Sequence, residues 1–297
     1  MFPYIDRFVT DEIIPDKKTI NDRWSLTRYG KYIAIVKSDT GLIRIKNEDY
    51  YGVFSHPESK DIMLFALADG MGGYSYGDKA STFVVSEIGK YFKQSKIRNI
   101  NDSQNYLNYL DEKIKEINNN LKYGGTTLTG AVVNEEDIIT FNIGDSRTYG
   151  YKDKLTQLTE DDSQLWSLYK NGKIKKDDIR FMHGNNIMTD AIDGLRIPIH
   201  PKYNIVKSNS YDALLMTTDG IHDILSDEEM ETIIENNKEF PRSIAYELVF
   251  NSLYYKEEIS DEAMNRIENV LCEPFYETIP GKDNSTAVLV FTKNIKR

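Results

Sequence analysis

The sequence predicts an α+β layered sandwich, and three observations carry that reading. Strands and helices are mixed without a repeating β-α-β order, which disfavours a doubly wound sheet. Two consecutive segments show apolar stripes at three- and four-residue spacing, as an antiparallel helix pair would. Several short apolar runs end in Asp-Gly or begin after acidic residues, the pattern of strands that deliver turns.

Taken in order, residues 1–27 are polar and turn-rich and read as an N-terminal extension with one edge strand. Tyr32–Val36 and Tyr50–Phe54 read as strands on either side of the polar stretch Asp39–Asp49. Ile62–Ala68 is a continuous apolar run that stops at Asp69-Gly70, a buried strand followed by a turn. Ala80, Phe83, Val84, Ile88, Tyr91 and Phe92 share one face of a helix. Leu107, Leu110, Ile114, Ile117 and Leu121 share a face of the next, which stops at Gly124-Gly125. Thr127–Val133, a turn at Asn134–Asp137 and Ile138–Ile143 follow, then a hairpin of Tyr149–Tyr151 with Lys154–Leu158. Ala213–Thr217 is a strand ahead of Asp219-Gly220, and Ser226-x-x-Glu229 is a capping box that opens a third helix. Thr286–Thr292 is the final strand, and the apolar stripes throughout are core. No repeat, low-complexity tract or Pro/Ser-rich linker interrupts the chain, so residues 1–297 read as one domain.

Composition narrows the function. A 297-residue chain with 40% hydrophobic residues has ample sequence for a core. Its formal charge of −10 argues against a nucleic-acid binder, which needs a basic footprint. An acidic chain still binds phosphate when metal ions invert the local field. The single cysteine, Cys272, excludes an intramolecular disulfide and a thiolate metal cluster, and fits a reducing compartment. Residues 1–12 carry Asp6, Arg7, Asp11 and Glu12 without a sustained apolar stretch, unlike a signal peptide. The longest apolar run, Ile62–Ala68, falls far short of the ~20 residues that span a bilayer. The expectation is a soluble, cytoplasmic protein with no membrane partner.

The informative pattern is where acidic residues sit relative to strands. Asp69, Asp145 and Asp219 follow strands; Glu48-Asp49 and Asp283-Asn284 precede them. Strand ends are rigid, and carboxylates placed there are able to converge on one sheet edge. Hard divalent cations take such oxygen ligands in near-octahedral geometry. Two of them about 3.5–4 Å apart clamp attacking and leaving oxygens. Taken singly, an Asp-Gly after a strand is more often a plain turn, and only the set raises the odds. A calcium-binding loop fits less well, because the carboxylates are scattered along the chain.

At this point the motifs match a known family. Ser38-Asp39-Thr40-Gly41-Leu42-Ile43-Arg44 with Asn47-Glu48-Asp49 stands first, and Ala68-Asp69-Gly70-Met71-Gly72-Gly73 with Gly77 and Ala80-Ser81 follows. Then come Gly125-Thr126-Thr127, Asn142-Ile143-Gly144-Asp145-Ser146-Arg147 and Leu158-Thr159-Glu160-Asp161. Thr218-Asp219-Gly220 with Asp223, and Gly281 with Asp283-Asn284, complete the series. In this order the chain resembles the metal-dependent protein phosphatases (PPM, the type 2C class), especially compact bacterial members, over residues 35–292.

The resemblance implies a four-layer αββα sandwich, two antiparallel sheets flanked by antiparallel helices, with metals at one edge. It implies a serine/threonine phosphatase with two Mn²⁺ or Mg²⁺ ions whose bridging hydroxide attacks phosphorus in line. Asp69 would bridge the ions, with the Gly70 carbonyl on the first. Asp219 and Asp283 would ligate the second, with Glu48 and Asp49 acting directly or through waters. Asp145 and Asp223, with Asp219, resemble the ligands of a third ion in bacterial members. Arg44 would fork onto the substrate phosphate, as a planar guanidinium suits. The implied partner is a phosphorylated protein, a serine/threonine kinase or its targets.

Departures are visible too. Met71 stands where many eukaryotic relatives carry a His acid, and a water on a metal is the preferred donor in its place. His222, between Asp219 and Asp223, reads first as an ordinary packed or solvated side chain and second as a proton source. Residues 162–200 correspond to the family's flap but diverge: Asp161-Asp162-Ser163 replaces Asp-His-Ser, and His183 and His200 read as ordinary. The basic cluster Lys170–Lys176 reads first as a solvated turn and second as an attractor of phosphorylated substrates. Residues 252–280, with Tyr254, Tyr255, Phe275 and Tyr276, read first as a structural elaboration, an extra helical hairpin, and second as a partner surface. A catalytically silent relative used as a binding module, and a hydrolase of a small phosphorylated molecule, are the alternatives.

Overall fold

The apolar runs of the sequence fold as strands with both faces buried, and this sets the layers. The computed structural model describes residues 22–29, 31–71, 76–96, 100–182, 187–254, 264 and 279–292. Residues 1–21, Gly72-Gly73, His183, Cys272 and most of 252–280 lie outside the described residues.

One sheet has six strands: β1 (Asp22–Tyr29), β2 (Tyr32–Asp39), β7 (Arg147–Tyr151), β8 (Leu155–Gln157), β10 (Ala213–Thr217) and β11 (Ser285–Phe291). Their order is β1-β2-β11-β10-β7-β8, so the last strand sits inside the sheet. The other holds β3 (Tyr50–His56), β4 (Ser59–Ala68), β5 (Leu128–Val133), β6 (Asp137–Ile143) and β9 (Lys202–Lys207), ordered β3-β4-β5-β6-β9. Every pairing is antiparallel.

Period-two alternation sends successive side chains to opposite layers. On β2, Tyr32, Ala34 and Val36 meet Tyr51, Met63, Phe65 and Leu67 of the other sheet. The intervening Ile33 and Ile35 join Leu215, Leu289, Leu248 and Val249 in the layer beneath α6 (Asp227–Asn236) and α7 (Pro241–Tyr254). On the far side, Leu64, Ala66, Leu128 and Phe141 meet α1 (Gly77–Gln94) and α2 (Ser103–Asn120) through Val84, Ile88, Leu110 and Ile114. The result is the expected αββα arrangement. Removing one of these filled side chains, Phe65→Ala for example, costs about 3–5 kcal/mol.

Local chemistry sets the helix ends. The Asp102 carboxylate accepts from the Asn105 N–H at 3.2 Å to start α2. The expected capping box starts α6: Ser226 Oγ accepts from the Glu229 N–H, and the Glu229 carboxylate accepts from the Ser226 N–H.

Among the elements not foreseen are one strand and three helices. Edge strand β9 is largely solvated and lacks apolar alternation. Short α3 (Gln164–Lys170) and α4 (Asp178–Phe181) fold over their own cluster of Leu165, Trp166, Ile174, Ile179 and Met182. Helix α7 is apolar on both its buried and its exposed sides, which hides the stripe. Among the described residues no helix is long and apolar enough to cross a membrane.

Candidate metal centre

Strand register brings the acidic ends together. In the five-stranded sheet Tyr50 pairs with Ala68, Leu67 with Thr129, and Leu128 with Ile143. Asp49, Asp69 and Asp145 therefore leave that sheet at one edge. In the other sheet Thr217 pairs with both Ala287 and Arg147. Asp219, in the first turn of α5 (Asp219–His222), and Asp283 therefore leave at the edge where β7 begins. Asp145 lies on the turn that carries the chain from one sheet to the other.

Each carboxylate has its own holding contacts. Asp49 is 2% exposed; its Oδ2 accepts from Thr286 Oγ1 at 2.6 Å and Thr218 Oγ1 at 3.0 Å. Its Oδ1 is buried without a hydrogen-bond partner. The Asp69 N–H donates to Thr127 Oγ1 at 2.9 Å, and its carbonyl accepts from the Thr127 N–H and from Thr126 Oγ1. Glu48 is fixed through its backbone: its N–H donates to Asn284 Oδ1 at 2.8 Å, and its carbonyl accepts from Gly70 N–H and Ser81 Oγ. Asp223 is 7% exposed, and its N–H closes the helical turn onto the Asp219 carbonyl at 2.9 Å. Arg44 Nη2 donates to Asp283 Oδ2 at 2.6 Å. A cleft lined by Asp219, Asp223, Lys282 and Asp283 opens beside them.

Gly220 has a steric reason to be glycine. A Cβ there would lie 2.1 Å from the Asn284 carbonyl oxygen, so only a bare backbone lets the Asp219 turn rest on the Asp283-Asn284 segment.

The carboxylates feel one another. Burial raises the Asp49 carboxyl, and Asp219 and Asp283 add to it against the Thr286 and Thr218 hydrogen bonds, pushing it up to about 7. Desolvation holds Asp69 well above the carboxylate range, with Asp49, Asp219, Asp283 and Asp145 raising it further. Glu48 is raised by desolvation against the pull of the Asp78 N–H and Arg44.

Among the described residues no three His, Cys, Asp or Glu side chains close into a metal-ligand shell. Asp283 pairs with Arg44 at this edge. The donor chemistry fits hard divalent cations: oxygen ligands throughout, mutual repulsion that a cation would cancel, and a buried carboxylate oxygen with no donor.

The divergent segment 162–200 is fastened to the same edge. Asp162 Oδ2 accepts from the Gly144 N–H at 3.0 Å, and its Oδ1 pairs with Lys202 Nζ at 2.6 Å. Arg147 binds the buried Asp161 through Nε and Nη2, the latter at 2.7 Å, and its guanidinium lies 5.8 Å from the Trp166 ring. In the basic cluster, Lys170 pairs with Glu160 at 2.5 Å and Lys176 pairs with Asp227. His200 is exposed and faces Asp190, while His222 is 3% exposed and bonds Thr217 through Nδ1 at 2.8 Å, a packed histidine.

A family profile for protein phosphatase 2C matches residues 44–259. The chain belongs to the protein phosphatase 2C family. The serine/threonine phosphatase stp of Listeria innocua is 31% identical over 69% of this chain and 84% of its own length. The crystal structure of the serine/threonine phosphatase Stp1 of Staphylococcus aureus superposes with a TM-score of 0.64 at 28% identity, covering 87% of this chain and 94% of that one. The catalytic domain of PstP, solved with two manganese ions, shares the fold at 23% identity and TM-score 0.63 over 92% of this chain and 99% of its own.

The acidic edge of this phosphatase 2C chain also rests on side chains that sequence reading passed over. Thr218 and Thr286 hold Asp49, and Thr127 holds the Asp69 backbone while bonding Ser146 Oγ at 2.7 Å. Asn284 clasps three segments, accepting from Glu48 N–H and donating to the carbonyls of Thr40 and Lys46. Thr218, Ser146 and Asn284 carried a signal, a polar residue beside an acid at a strand end, whereas Thr127 and Thr286 adjoin no acid.

Proposed function

We propose that this chain is a metal-dependent protein serine/threonine phosphatase that hydrolyses phosphoserine and phosphothreonine with two Mn²⁺ or Mg²⁺ ions. The observation that supports it best is the convergence of Asp49, Asp69, Asp145, Asp219 and Asp283 at one edge of two sheets, with Arg44 beside them. Asp69, the Gly70 carbonyl, Asp219 and Asp283 would hold the cations, with Asp69 shared between them. Glu48 and Asp49 would assist directly or through water, and Asp145 and Asp223, with Asp219, would serve a third cation. Bound there, the cations supply a water nucleophile ionised at neutral pH and positive charge against the phosphoryl oxygens.

The protein's own groups do the rest. Thr218 and Thr286 fix one oxygen of Asp49 and leave the other for a cation. Arg44, paired with Asp283 in this structure, would fork onto the substrate phosphate and place a fixed positive charge against its oxygens. Met71 has no proton to give, so a water held at the site would be the donor to the leaving alkoxide. The substrates are phosphoproteins, a serine/threonine kinase or its targets, in the cytoplasm.

Purified protein is to be assayed on a phosphothreonine peptide and on p-nitrophenyl phosphate, with Mn²⁺ and with chelator, beside Asp69→Asn and Asp283→Asn. Chelator-sensitive hydrolysis of the peptide that both substitutions abolish is expected. Hydrolysis that ignores chelator, or none under any condition, sinks the reading. Hydrolysis of the small ester alone shifts it to a small-molecule hydrolase.

A further inference from the structure

One residue away from the acidic edge the surface changes character. Tyr76 precedes α1 with φ 82, the one non-glycine residue of positive φ among the described residues. For a residue with a Cβ that conformation costs on the order of 1–2 kcal/mol, and such strain collects at functional positions. The neighbouring chain holds it there: the N–H groups of Lys79 and Ala80 both donate to the Tyr76 carbonyl, at 3.1 and 3.0 Å. Gly124, itself at φ 78, lets that carbonyl approach, since a Cβ there would lie 2.7 Å from it.

The strain presents a ring to solvent. Tyr76 is 50% exposed and Tyr123 70%, with ring centroids 6.0 Å apart and tilted at 58°. Lys79 Nζ stands 4.4 Å from the Tyr76 centroid. With Phe83, Leu121 and Lys122 these residues line an open concavity of about 650 Å³. The chain carries a net charge of −10, and some of its surface lysines are spent on carboxylates, as Lys46 is on Asp78 and Lys113 on Glu116. Lys79 and Lys122 have no carboxylate partner among the described residues. Gly77, next to Tyr76, backs directly onto the acidic edge: a Cβ on it would lie 2.9 Å from Glu48 Oε1.

We propose that this concavity docks an acidic peptide segment of the phosphoprotein substrate, a few residues from the phosphorylated side chain. Carboxylates pair with Lys79 and Lys122, and the two tyrosine rings take the apolar faces of the peptide. The proposal rests on the phosphatase reading above and adds a substrate class to it: phosphosites in acidic sequence.

The full chain with Mn²⁺ is to be given p-nitrophenyl phosphate, a phosphothreonine peptide flanked by Asp and Glu, and its Asn and Gln counterpart. Wild type should favour the acidic peptide about fivefold to tenfold, through KM, with the preference shrinking as salt rises. The double variant Lys79→Glu/Lys122→Glu should lose or reverse it. In parallel, anisotropy of a labelled unphosphorylated acidic peptide reads docking without turnover, so absence of all hydrolysis would strike the phosphatase reading and leave docking decided by binding. Equal treatment of both peptides by wild type, or binding that survives the charge reversal, overturns the proposal. Tyr123→Ala should weaken peptide binding without lowering the melting temperature.

Discussion

Asp49→Asn separates the electrostatic cost of the acidic edge from its use. Asp49 is 2% exposed, with its carboxyl raised from 3.8 to about 7. Ionised in the folded protein, it therefore opposes folding by about 1.36 kcal/mol for each of roughly three pH units, on the order of 4 kcal/mol. The sign follows from the direction. A carboxyl whose folded pKa is raised contributes stability in full below 3.8 and loses it as pH climbs through about 7. Metal-free wild type should thus become less stable across that window, and the Asn variant should not share that part of the slope. The amide retains the shape and still bonds Thr218 and Thr286, whose hydroxyls are free to rotate. At pH 8 in chelator the variant should melt higher, by roughly 8 °C at about 2 °C per kcal/mol for a chain of this size. In saturating Mn²⁺ the order should narrow or reverse, because wild type gains more from the ions. Melting followed by circular dichroism between pH 5 and 8, with chelator and with Mn²⁺, checks this. Equal metal-free melting temperatures at pH 8, with equal pH slopes, would refute the reasoning.

Two further outcomes follow from the same edge. Arg44→Ala removes the cation that pairs with Asp283 and faces the phosphate; kcat/KM on a phosphopeptide should fall on the order of 10²–10³-fold, with Arg44→Lys recovering only part because it cannot fork. Arg147→Met strands Asp161, which is 3% exposed and already raised by burial, at about 3–5 kcal/mol; Arg147→Met/Asp161→Leu should recover most of the lost melting temperature, and a double variant no better than the single one would dismiss the ion pair as its cause.

Most of the fold was legible where period and burial coincide. Ile62–Ala68 and Ala213–Thr217 announced buried strands because helices cover one side and a second sheet the other, leaving no polar face to blur the run. Ser226 and Glu229 announced a helix start because capping is local chemistry. Strand β9 was silent because an edge strand facing solvent needs no apolar alternation, and α7 because it is apolar nearly all round. The acidic residues were legible as a set at strand ends; their convergence depends on register, which pairs Thr217 with Arg147 and Leu128 with Ile143, partners no local pattern names. The hold of Thr286 on Asp49 spans 237 positions and was beyond a reading of neighbours.

The interior place of β11 has a consequence for the order of events during synthesis. Ser285–Phe291 is among the last described residues to leave the ribosome, yet it fills the slot between β2 and β10 and carries Asp283 and Asn284 just ahead of it. Until it arrives, β2 and β10 each present an open edge, and the clasp joining residues 40, 46 and 48 has no Asn284 to close it. A nascent or truncated chain thus exposes two aggregation-prone strands and holds an incomplete acidic edge. Competence and cooperativity are acquired together, in one closing step.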